Sequence, residues 1–324
     1  MSGNSRIGKI MLAYVLYSGG LDSGLAIKLI QEQGIKVVGV HFVSPFFGNP
    51  DFCKKISREQ NFKLIIKKVD KKYLKILRKP KYGFGSQMNP CLDCHIYMLK
   101  EMKKIAKNNI IVTGDVLGQR PMSQKLHDFK LIEKELKMKN KILRPLSAKL
   151  LPETVYEKNG IIDRKNLLEI KGRGRKKQLN LAKKYKLKFL SPAGGCLLTD
   201  KEFSKKLKDL FEHKKRISKT DLELLKVGRH FRIGKSKIVV GRNEMENKKI
   251  EKLRKKGDFI FKVEGIGPTT LLQGRKNKES IKLAAELTLF YSDEEDSPVR
   301  YGKNPNKKIR IKKPEREEIE KFRI

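Results

Sequence analysis

The sequence has no tryptophan, only four cysteines and few acidic residues: 36 Asp and Glu stand against 76 Lys and Arg in 324 residues. Long apolar runs are also absent, and no segment approaches the roughly 20 apolar residues that a transmembrane helix needs. The polar stretch Met1–Lys9 and the short apolar run after it do not resemble a secretory signal peptide. We therefore expect a cytoplasmic protein with no membrane partner, whose cysteines stay reduced.

The excess of basic residues gives a formal net charge of +40 and a pI of about 10.0. Self-repulsion on this scale disfavours a compact chain unless a polyanion is close by. Because Lys and Arg clusters neutralise phosphates, nucleic acid is the expected partner. The alternative is a basic bias shared by the whole proteome. The length allows two domains, and 38% hydrophobic residues are enough for a core.

Two common nucleotide-binding motifs are missing, since the sequence has neither a G-x-x-x-x-G-K-[ST] loop nor a G-x-G-x-x-G fingerprint. Instead, Ser18–Ser23 reads S-G-G-L-D-S and lies between an apolar run, residues 11–17, and a helix-like segment, residues 24–33. Adjacent glycines at a strand-to-helix turn let backbone N–H groups and a helix N-terminus face an anion. We predict a phosphate-binding loop here; the alternative is an ordinary tight turn.

Strand-like and helix-like segments alternate after this loop. Strands are predicted at residues 37–43, 64–69 and 110–113, and helices at residues 52–61 and 96–108. Such alternation predicts an α/β fold with a doubly wound, Rossmann-like parallel sheet. Ligands of these sheets bind beyond the carboxyl ends of the strands. We therefore expect Gly114 and Asp115 to share a crevice with the phosphate loop.

The cysteine spacing is the second chemical signal. Cys91-x-x-Cys94 is typical of a redox pair, half of a zinc site or part of an iron–sulfur site. There is no second Cys-x-x-Cys, so a four-cysteine zinc site is not expected. Together with Cys196, which follows Pro-Ala-Gly-Gly, the pair would hold three irons of a cubane and leave the fourth open. The alternative is that these thiols are small buried apolar groups, which is our interpretation of Cys53.

Four motifs together resemble the PP-loop ATP pyrophosphatases, and within that group the tRNA thiouridine synthetases whose cluster is held by three cysteines. The motifs are S-G-G-L-D-S (18–23), N-P-C-L-D-C-H (89–95), T-G-D-V-L-G-Q-R-P-M-S-Q (113–124) and S-P-A-G-G-C-L-L-T (191–199). This resemblance implies that ATP is cleaved to AMP and pyrophosphate while a uridine carbonyl oxygen of tRNA is adenylated. Sulfur then displaces AMP and leaves a thiouridine.

The resemblance also implies the site residues and cofactors. ATP and Mg²⁺ would be held by Ser18, Gly19, Gly20, Asp22, Ser23, Gly114, Asp115 and Gln119. Asp22 and the cysteines Cys91, Cys94 and Cys196 would carry the chemistry. The three cysteines would bind a 4Fe-4S cluster, or one of them would carry a persulfide. Free sulfide or a persulfide-carrying protein would supply the sulfur.

Basic and aromatic residues indicate where RNA would bind. The runs R-H-F-R (229–232) and V-G-R-N-E-x-x-N (240–247) resemble the RNA-binding module of NFACT-type proteins. We expect a PP-loop domain at residues 1–205 and a smaller α+β RNA-binding domain at residues 206–324. The predicted RNA contacts are Arg173, Arg175, Lys176, Arg229, Phe231 and Arg232. Phe231 would stack on a base, or else lie in the core of a strand; Arg144 is a further phosphate contact or a plain surface charge.

Two other functions fit part of the sequence. A PP-loop iron–sulfur reductase acting on a small adenylylated substrate would use the same loop and cysteines, but it leaves the charge of +40 without a purpose. A non-catalytic RNA-binding protein would explain the charge but not the intact loop and three loop cysteines. The position of the modified uridine, and the choice between 2-thio and 4-thio, are not encoded in these motifs.

Overall fold

The computed structural model describes residues 11–190 and 195–324. The chain divides after Thr199 into two units, each with its own hydrophobic core. No helix among the described residues is long and apolar enough to cross a bilayer.

The first unit is built on a five-stranded sheet. Its strands are β1 (Ala13–Leu16), β2 (Val37–Val43), β3 (Lys63–Lys68), β4 (Ile110–Thr113) and β5 (Ile142–Leu143). Its helices are α1 (Leu21–Gln31), α2 (Pro50–Glu59), α3 (Lys71–Arg78), α4 (Cys91–Ala106), α5 (Leu126–Leu136), α6 (Val155–Lys158) and α7 (Lys176–Lys184). All pairings are parallel, in the order β3-β2-β1-β4-β5. The predicted doubly wound parallel sheet is confirmed.

Alternation along β1 explains why helices cover both faces of this sheet. Ala13 and Val15 pack into one buried cluster with side chains of α1, while Tyr14 and Leu16 contact a second cluster with side chains of α4 and α5. Successive side chains of a strand point to opposite faces, so a central strand buried on both sides is apolar at every position. The carboxyl end of β1 then opens into the glycine loop.

Helices α3 and α4 of the first unit show where the sequence-based prediction differs from the structure. Helix α4 begins at Cys91 and not near Ile96. Helix α3 was not predicted, although its buried side chains Tyr73 and Leu77 lie four residues apart, as on one helical face. Asp70 caps α3 by accepting a hydrogen bond from the Lys72 amide at 2.8 Å. The dense lysines of this segment concealed its short apolar stripe.

The second unit is an antiparallel sheet with helices. Its strands are β6 (Arg229–Ile233), β7 (Ser236–Val240), β8 (Phe259–Val263), β9 (Thr270–Gln273), β10 (Val299–Gly302) and β11 (Lys307–Ile309), in the order β11-β10-β8-β9-β7-β6. Its helices are α8 (Lys201–His213), α9 (Lys219–Leu224), α10 (Glu244–Leu253), α11 (Lys278–Phe290) and α12 (Arg316–Glu320). The sequence predicts a β-hairpin of residues 227–234 and 237–242 with its turn at residues 234–236, and it is present as β6–β7, with Ile233 paired to Ser236. The short strands β9 and β10 were not predicted.

Candidate active site

The predicted phosphate loop carries the chain from β1 into α1. Gly19 has φ +83°, a left-handed conformation that glycine adopts without strain, and Gly20 is the N-cap of α1. The hydroxyl oxygens of Ser18 and Ser23 lie 3.1 Å apart across the turn. The Ser23 hydroxyl also donates to the Gly20 carbonyl at 3.0 Å. The serines therefore shape the loop, and the helix N-terminus behind it supplies partial positive charge for a phosphate.

The end of β4 packs directly against this loop. A Cβ atom on Gly114 would lie 2.6 Å from the Ser23 amide nitrogen, so no other residue fits there without moving the backbone. A Cβ atom on Gly19 would lie 3.0 Å from the Cys53 sulfur and 3.2 Å from Leu190. Gly114 thus adjoins the start of α1, as expected for neighbouring parallel strands.

Asp22, in the first turn of α1, forms a hydrogen bond and an ion pair with two residues from distant parts of the chain. Its Oδ2 accepts a hydrogen bond from the Gln119 amide at 3.0 Å and lies 3.3 Å from the Arg175 guanidinium. Two acceptor oxygens remain: within the described part of the chain, Asp22 Oδ1 and Gln119 Oε1 are buried and accept nothing. Two uncompensated buried acceptors side by side are suited to a cation or to ligand donors.

Asp115 supports the loop that follows β4. Its carboxylate accepts hydrogen bonds from the Thr113 hydroxyl at 2.8 Å and the Gln124 amide at 3.0 Å, and it is buried. His95 Nδ1 lies 3.9 Å from the same carboxylate. Asp115 therefore links the start of α4, which carries two cysteines, to the strand end that touches the phosphate loop.

Cys91 and Cys94 lie in the first turn of α4, so Cys91 is helical and not in the loop where the sequence placed it. Each thiol has a polar neighbour: Asn89 Nδ2 lies 3.2 Å from the Cys91 sulfur, and the Tyr73 hydroxyl donates to the Cys94 sulfur at 3.3 Å. Burial is the largest cause that raises the pKa of Tyr73, and the nearby thiols act in the same direction. The hydroxyl therefore stays protonated and can donate a hydrogen bond. Neither Tyr73 nor Asn89 was singled out from the sequence.

Cys196 reaches this pair from far along the chain. It forms a backbone bridge with Phe47, and the Leu197 amide donates to the Phe46 carbonyl at 2.9 Å, which attaches the segment to the loop after β2. Residues 191–194, expected to approach a cofactor or substrate, lie outside the described residues. The sequence therefore named three thiols that the fold brings to one region.

Two of the three thiols have raised pKa values. Burial is the largest cause, and with a smaller contribution from neighbouring thiols the pKa of Cys94 rises to about 12 and that of Cys196 to about 11. Within residues 11–190 and 195–324, no three His, Cys, Asp or Glu side chains form a group that could hold a single metal ion. A cubane presents separate irons, each with its own thiolate. Three cysteine thiols in one region are the type of donor that such a cluster takes.

Cys53 is a core residue, as interpreted from the sequence, and His41 lies beside it. Both are buried, and the Cys53 sulfur lies 3.5 Å from His41 Nδ1. His41 Nδ1 contacts the Tyr17 carbonyl at 2.9 Å, and Nε2 accepts from the Asn49 amide at 3.1 Å. Burial lowers the pKa of His41 and raises that of Cys53 to about 12. His41 is thus a neutral linker between β1, β2 and the start of α2.

The basic residues expected to contact RNA have different surroundings in the first unit. Arg173 and Lys176 are exposed. Arg175 instead pairs with Asp22 beside the phosphate loop, a position that the sequence did not suggest. Arg144 is only 4% exposed, so it is neither a surface charge nor available to an RNA backbone.

In the second unit, the side chains of strand β6 are buried or contact other residues of that unit. Phe231 is fully buried, so its alternative interpretation as a core residue is correct and stacking on a base is excluded in this structure. Arg232 is held by Asp209, with Nε and Nη2 at 2.8 and 2.7 Å from the two carboxylate oxygens. Arg229 stacks on Tyr291 at 4.4 Å from the ring centre and is partly exposed. Of these three, Arg229 is best placed to contact RNA.

Family comparisons agree with this two-part organisation. Residues 11–163 match the family described as thiamine biosynthesis protein (ThiI), and residues 228–323 match the NFACT protein RNA binding domain. Each match covers less than half of the chain and lies within one of the two units. None of the curated proteins matches the sequence significantly.

Several solved structures resemble the chain loosely. One, from Methanocaldococcus jannaschii, is described as a predicted subunit of tRNA methyltransferase; it is 17% identical, covers 62% of this chain and 88% of its own, and has a TM-score of 0.39. A 4-thiouridine synthetase in complex with RNA and ATP is 21% identical, with 68% and 53% coverage and a TM-score of 0.35. The U34-tRNA thiolase NcsA from Methanococcus maripaludis, with its [4Fe-4S] cluster, is 16% identical, with 69% and 72% coverage and a TM-score of 0.35.

Four candidate residues lie outside both family matches, namely Arg173, Arg175, Lys176 and Cys196. They belong to the segment between the ThiI-type match, which ends at residue 163, and the NFACT-type match, which begins at residue 228. The described residues of this segment up to Thr199 nevertheless fold with the first unit: Leu190 pairs with Gly20, and Lys171 pairs with Leu117. The site of the ThiI-type domain is therefore extended by the chain that follows it.

Proposed function

We propose that this protein is an ATP-dependent tRNA sulfurtransferase that converts a uridine to a thiouridine. The observation that carries the proposal is the convergence of three thiols, from two distant segments, beside a PP-loop. His95 follows Cys94 and lies 3.9 Å from Asp115, and Asp115 follows Gly114, which touches Ser23. Activation of an oxygen and delivery of sulfur can then take place in one region.

The first step is adenylation of the base. A uridine carbonyl oxygen attacks the α-phosphorus of ATP, the bond from that phosphorus to pyrophosphate breaks, and AMP becomes joined to the base through oxygen. Catalysis of this step rests on positioning and on neutralising charge. Ser18, Gly19, Gly20 and Ser23 would receive the phosphates, while Gly114 leaves room for the loop to approach β4. Arg175 would face the charge that develops on pyrophosphate.

Mg²⁺ suits the acceptors beside the loop. Asp22 Oδ1 and Gln119 Oε1 are oxygen ligands, the type that Mg²⁺ prefers, and neither has a partner among the described residues. Asp22 Oδ2 is already occupied by Gln119 and Arg175, which fixes the carboxylate. Asp22 would therefore orient the cation while Arg175 and Gln119 orient Asp22.

The sulfur-delivering part of the proposal rests on Cys91, Cys94 and Cys196, which would hold a 4Fe-4S cluster. A cluster bound by three thiolates supplies one iron without a protein ligand, at which sulfur can be bound. Since burial raises the pKa of Cys94 and Cys196, both are protonated at neutral pH until a metal displaces their protons. The Tyr73 hydroxyl and the Asn89 amide would donate to the sulfurs and stabilise them as thiolates.

A persulfide would also balance the reaction. The outer sulfur of a Cys196 persulfide attacks the base carbon, the carbon–oxygen bond breaks, and AMP leaves with the electron pair. The Cys94 thiol then attacks the sulfur–sulfur bond, which leaves sulfur on the base and a Cys94–Cys196 disulfide. An external dithiol must reduce that disulfide before the next turnover.

The RNA-binding part of the proposal rests on the NFACT-type domain and on charge. The excess of 40 positive charges favours a polyanion, and the exposed Arg173 and Lys176 lie just before and within α7, close in sequence to Arg175. We place the tRNA body on the second unit and the reacting uridine at the first.

Nucleoside analysis tests the function. A strain lacking the gene should lose one thiouridine from its tRNA by mass spectrometry, and the wild-type gene should restore it. Cys196→Ala should not restore it, whereas Cys53→Ala should, because Cys53 has no thiol neighbour in the site. If the deletion removes no thiouridine, the proposed function is wrong. If Cys196→Ala restores it fully, the sulfur-transfer role of this cysteine is wrong.

Anaerobic purification separates the two sources of sulfur. A brown protein with iron, whose colour is lost in Cys91→Ser and kept in Cys53→Ala, would support the cluster. A colourless protein that contains zinc would contradict it, and mass spectrometry for an added sulfur on Cys196 or Cys94 would then test the persulfide.

A further inference from the structure

A cavity of about 560 Å³ lies beside the edge strand β5, away from the phosphate loop. Helix α5, strand β5 and the segment up to α6 surround it. Its apolar wall consists of Leu126, Phe129, Ile142, Leu143, Leu151 and Pro152. None of the residues proposed above to bind ATP, iron or RNA lines it. Its volume falls within the range of small-molecule sites in proteins.

The wall of this cavity contains a buried arginine with unused donors. Arg144 is 4% exposed, its Nη1 donates to Glu133 at 2.7 Å, and its guanidinium stacks on the Phe129 ring at 4.0 Å. Within the described residues, Nε and Nη2 are buried and have no hydrogen-bond partner. Buried donors without acceptors are costly and rare in folded proteins, so the pair needs an acceptor from outside the chain.

Nε and Nη2 together form the side of a guanidinium that binds two oxygens at once. The same chain shows this fork in use elsewhere. Arg232 presents Nε and Nη2 to both oxygens of Asp209, and Arg242 presents the same pair of nitrogens to Glu246. Stacking on Phe129 and the hydrogen bond from Nη1 to Glu133 fix the plane of the Arg144 guanidinium. Nε and Nη2 are therefore held in a fixed orientation.

The charges around the cavity select an anion. Lys130, Lys134 and Lys139 are exposed lining residues, and none of them forms an ion pair within the described residues. The two acidic lining residues are already committed: Glu133 accepts from Arg144 and the Asn140 amide, and Glu157 accepts from Arg164 and from Thr154. The free charge facing a ligand is therefore positive.

We propose that this cavity binds a small organic anion. Its phosphate or carboxylate group accepts two hydrogen bonds from Nε and Nη2 of Arg144, and its apolar body lies against Phe129, Ile142 and Leu143. The exposed lysines that line the cavity attract the anion. The proposal is independent of the function proposed above, since it uses none of the same residues.

Phenyl phosphate and benzoate are suitable probes, and benzyl alcohol is the neutral comparison. In calorimetric titration of the full chain, at least one anion should bind with a submillimolar dissociation constant, and benzyl alcohol should bind at least about tenfold more weakly. The two anions distinguish phosphate from carboxylate as the preferred group. If neither anion binds at about 10 mM, the proposal is wrong.

Arg144→Lys keeps the charge but removes the fork, and it should weaken anion binding at least about tenfold. Arg164→Lys is the matched control, because the Arg164 donors are taken by Glu157 and the Leu151 carbonyl and Arg164 does not line the cavity. It should leave binding within about twofold. Equal loss in both variants would contradict a specific role for Arg144.

Circular dichroism first checks that each variant folds. If Arg144→Lys does not, the double variant Arg144→Gln with Glu133→Gln removes both charges of the pair together and should show the same loss of anion binding. Retained binding in that double variant overturns the proposal. Displacement of the probe by tRNA would contradict the small-molecule assignment.

Discussion

The position of Arg175 in the structure changes the role that the sequence suggested for it. As a member of a basic, glycine-rich run it was expected to contact RNA, yet its guanidinium lies 3.3 Å from Asp22 in the first turn of α1. A positive charge there lies next to the position proposed for the ATP phosphates. It also restrains Asp22, whose second oxygen is buried without a partner among the described residues.

We predict that Arg175→Ala lowers the rate of tRNA-dependent pyrophosphate release by about 10- to 100-fold, because charge at a developing anion acts mainly on the reacting state. Lys177→Ala, an exposed basic neighbour on α7, should remain within about twofold. Pyrophosphate release at saturating tRNA measures both. Equal, small effects of the two variants, visible only as weaker tRNA binding, would return Arg175 to the RNA-contacting group.

At the scale of elements, the hairpin β6–β7 is fixed to α8 through one carboxylate. Asp209 of α8 accepts from Arg232 of β6 and from Lys237 of β7, at 2.7 to 3.0 Å. Arg232 and Lys237 face each other across the hairpin. Burial lowers the pKa of Lys237 to about 8 from its ordinary value of 10.5, although Asp209 acts in the opposite direction. Desolvation of the ammonium therefore outweighs its ion pair.

This shift predicts how the stability of the second unit depends on pH. Between about pH 8 and 10.5 the unfolded chain keeps the Lys237 proton that the folded chain has lost, so the free energy of unfolding should rise with pH. The slope from this one group is at most about 1.4 kcal/mol per pH unit.

Urea unfolding of the full chain and of Lys237→Met, from pH 7 to 10, isolates this contribution. The free energy of unfolding of the wild type should rise with pH relative to that of the variant, because only the wild type carries Lys237. Other titrating groups affect both proteins alike. Parallel pH profiles would mean that Lys237 keeps an ordinary pKa.

In helix α4, two local effects act in opposite directions on the pKa of a thiol. A thiol in the first turn of a helix is favoured as a thiolate by the helix dipole. Cys94 is nevertheless held as a thiol, because burial raises its pKa to about 12. Desolvation of the thiolate therefore outweighs the helix dipole at Cys94.

The whole molecule combines two units with separate cores and separate sheets. A chain that ends after Thr199 keeps every described residue of the first core and loses only the second unit. We expect such a truncated chain to fold and to bind ATP within about threefold of the full chain, but to bind tRNA at least about tenfold more weakly.

Fluorescence titration with labelled ATP and with tRNA, over a range of salt concentrations, checks this prediction. The logarithm of tRNA affinity should fall less steeply with the logarithm of salt concentration in the truncated chain, because fewer phosphates are neutralised. Unchanged tRNA affinity would place RNA binding on the first unit instead. Salt-independent binding in the full chain would contradict an electrostatic role for the charge.

Local patterns were enough to predict much of the protein. Strands β2 and β4 were predicted with their observed bounds, and the hairpin β6–β7 with its short turn, because apolar runs and turn residues act over a few neighbouring positions. The phosphate loop and the three cysteines were also named from sequence. Helix α3 was not predicted, because only Tyr73 and Leu77 define its buried face among many lysines.

The sequence by itself determined the α/β architecture of the first unit, the glycine loop at the end of β1 and the identity of the three thiols. Only the tertiary structure decided which basic residues are free and which are paired or buried: Arg175 at Asp22, Arg232 at Asp209, and Arg144 inside a cavity. The physical reason is range. Periodicity reports contacts within one element, whereas the partner of a long charged side chain is set by packing between elements that are distant in sequence.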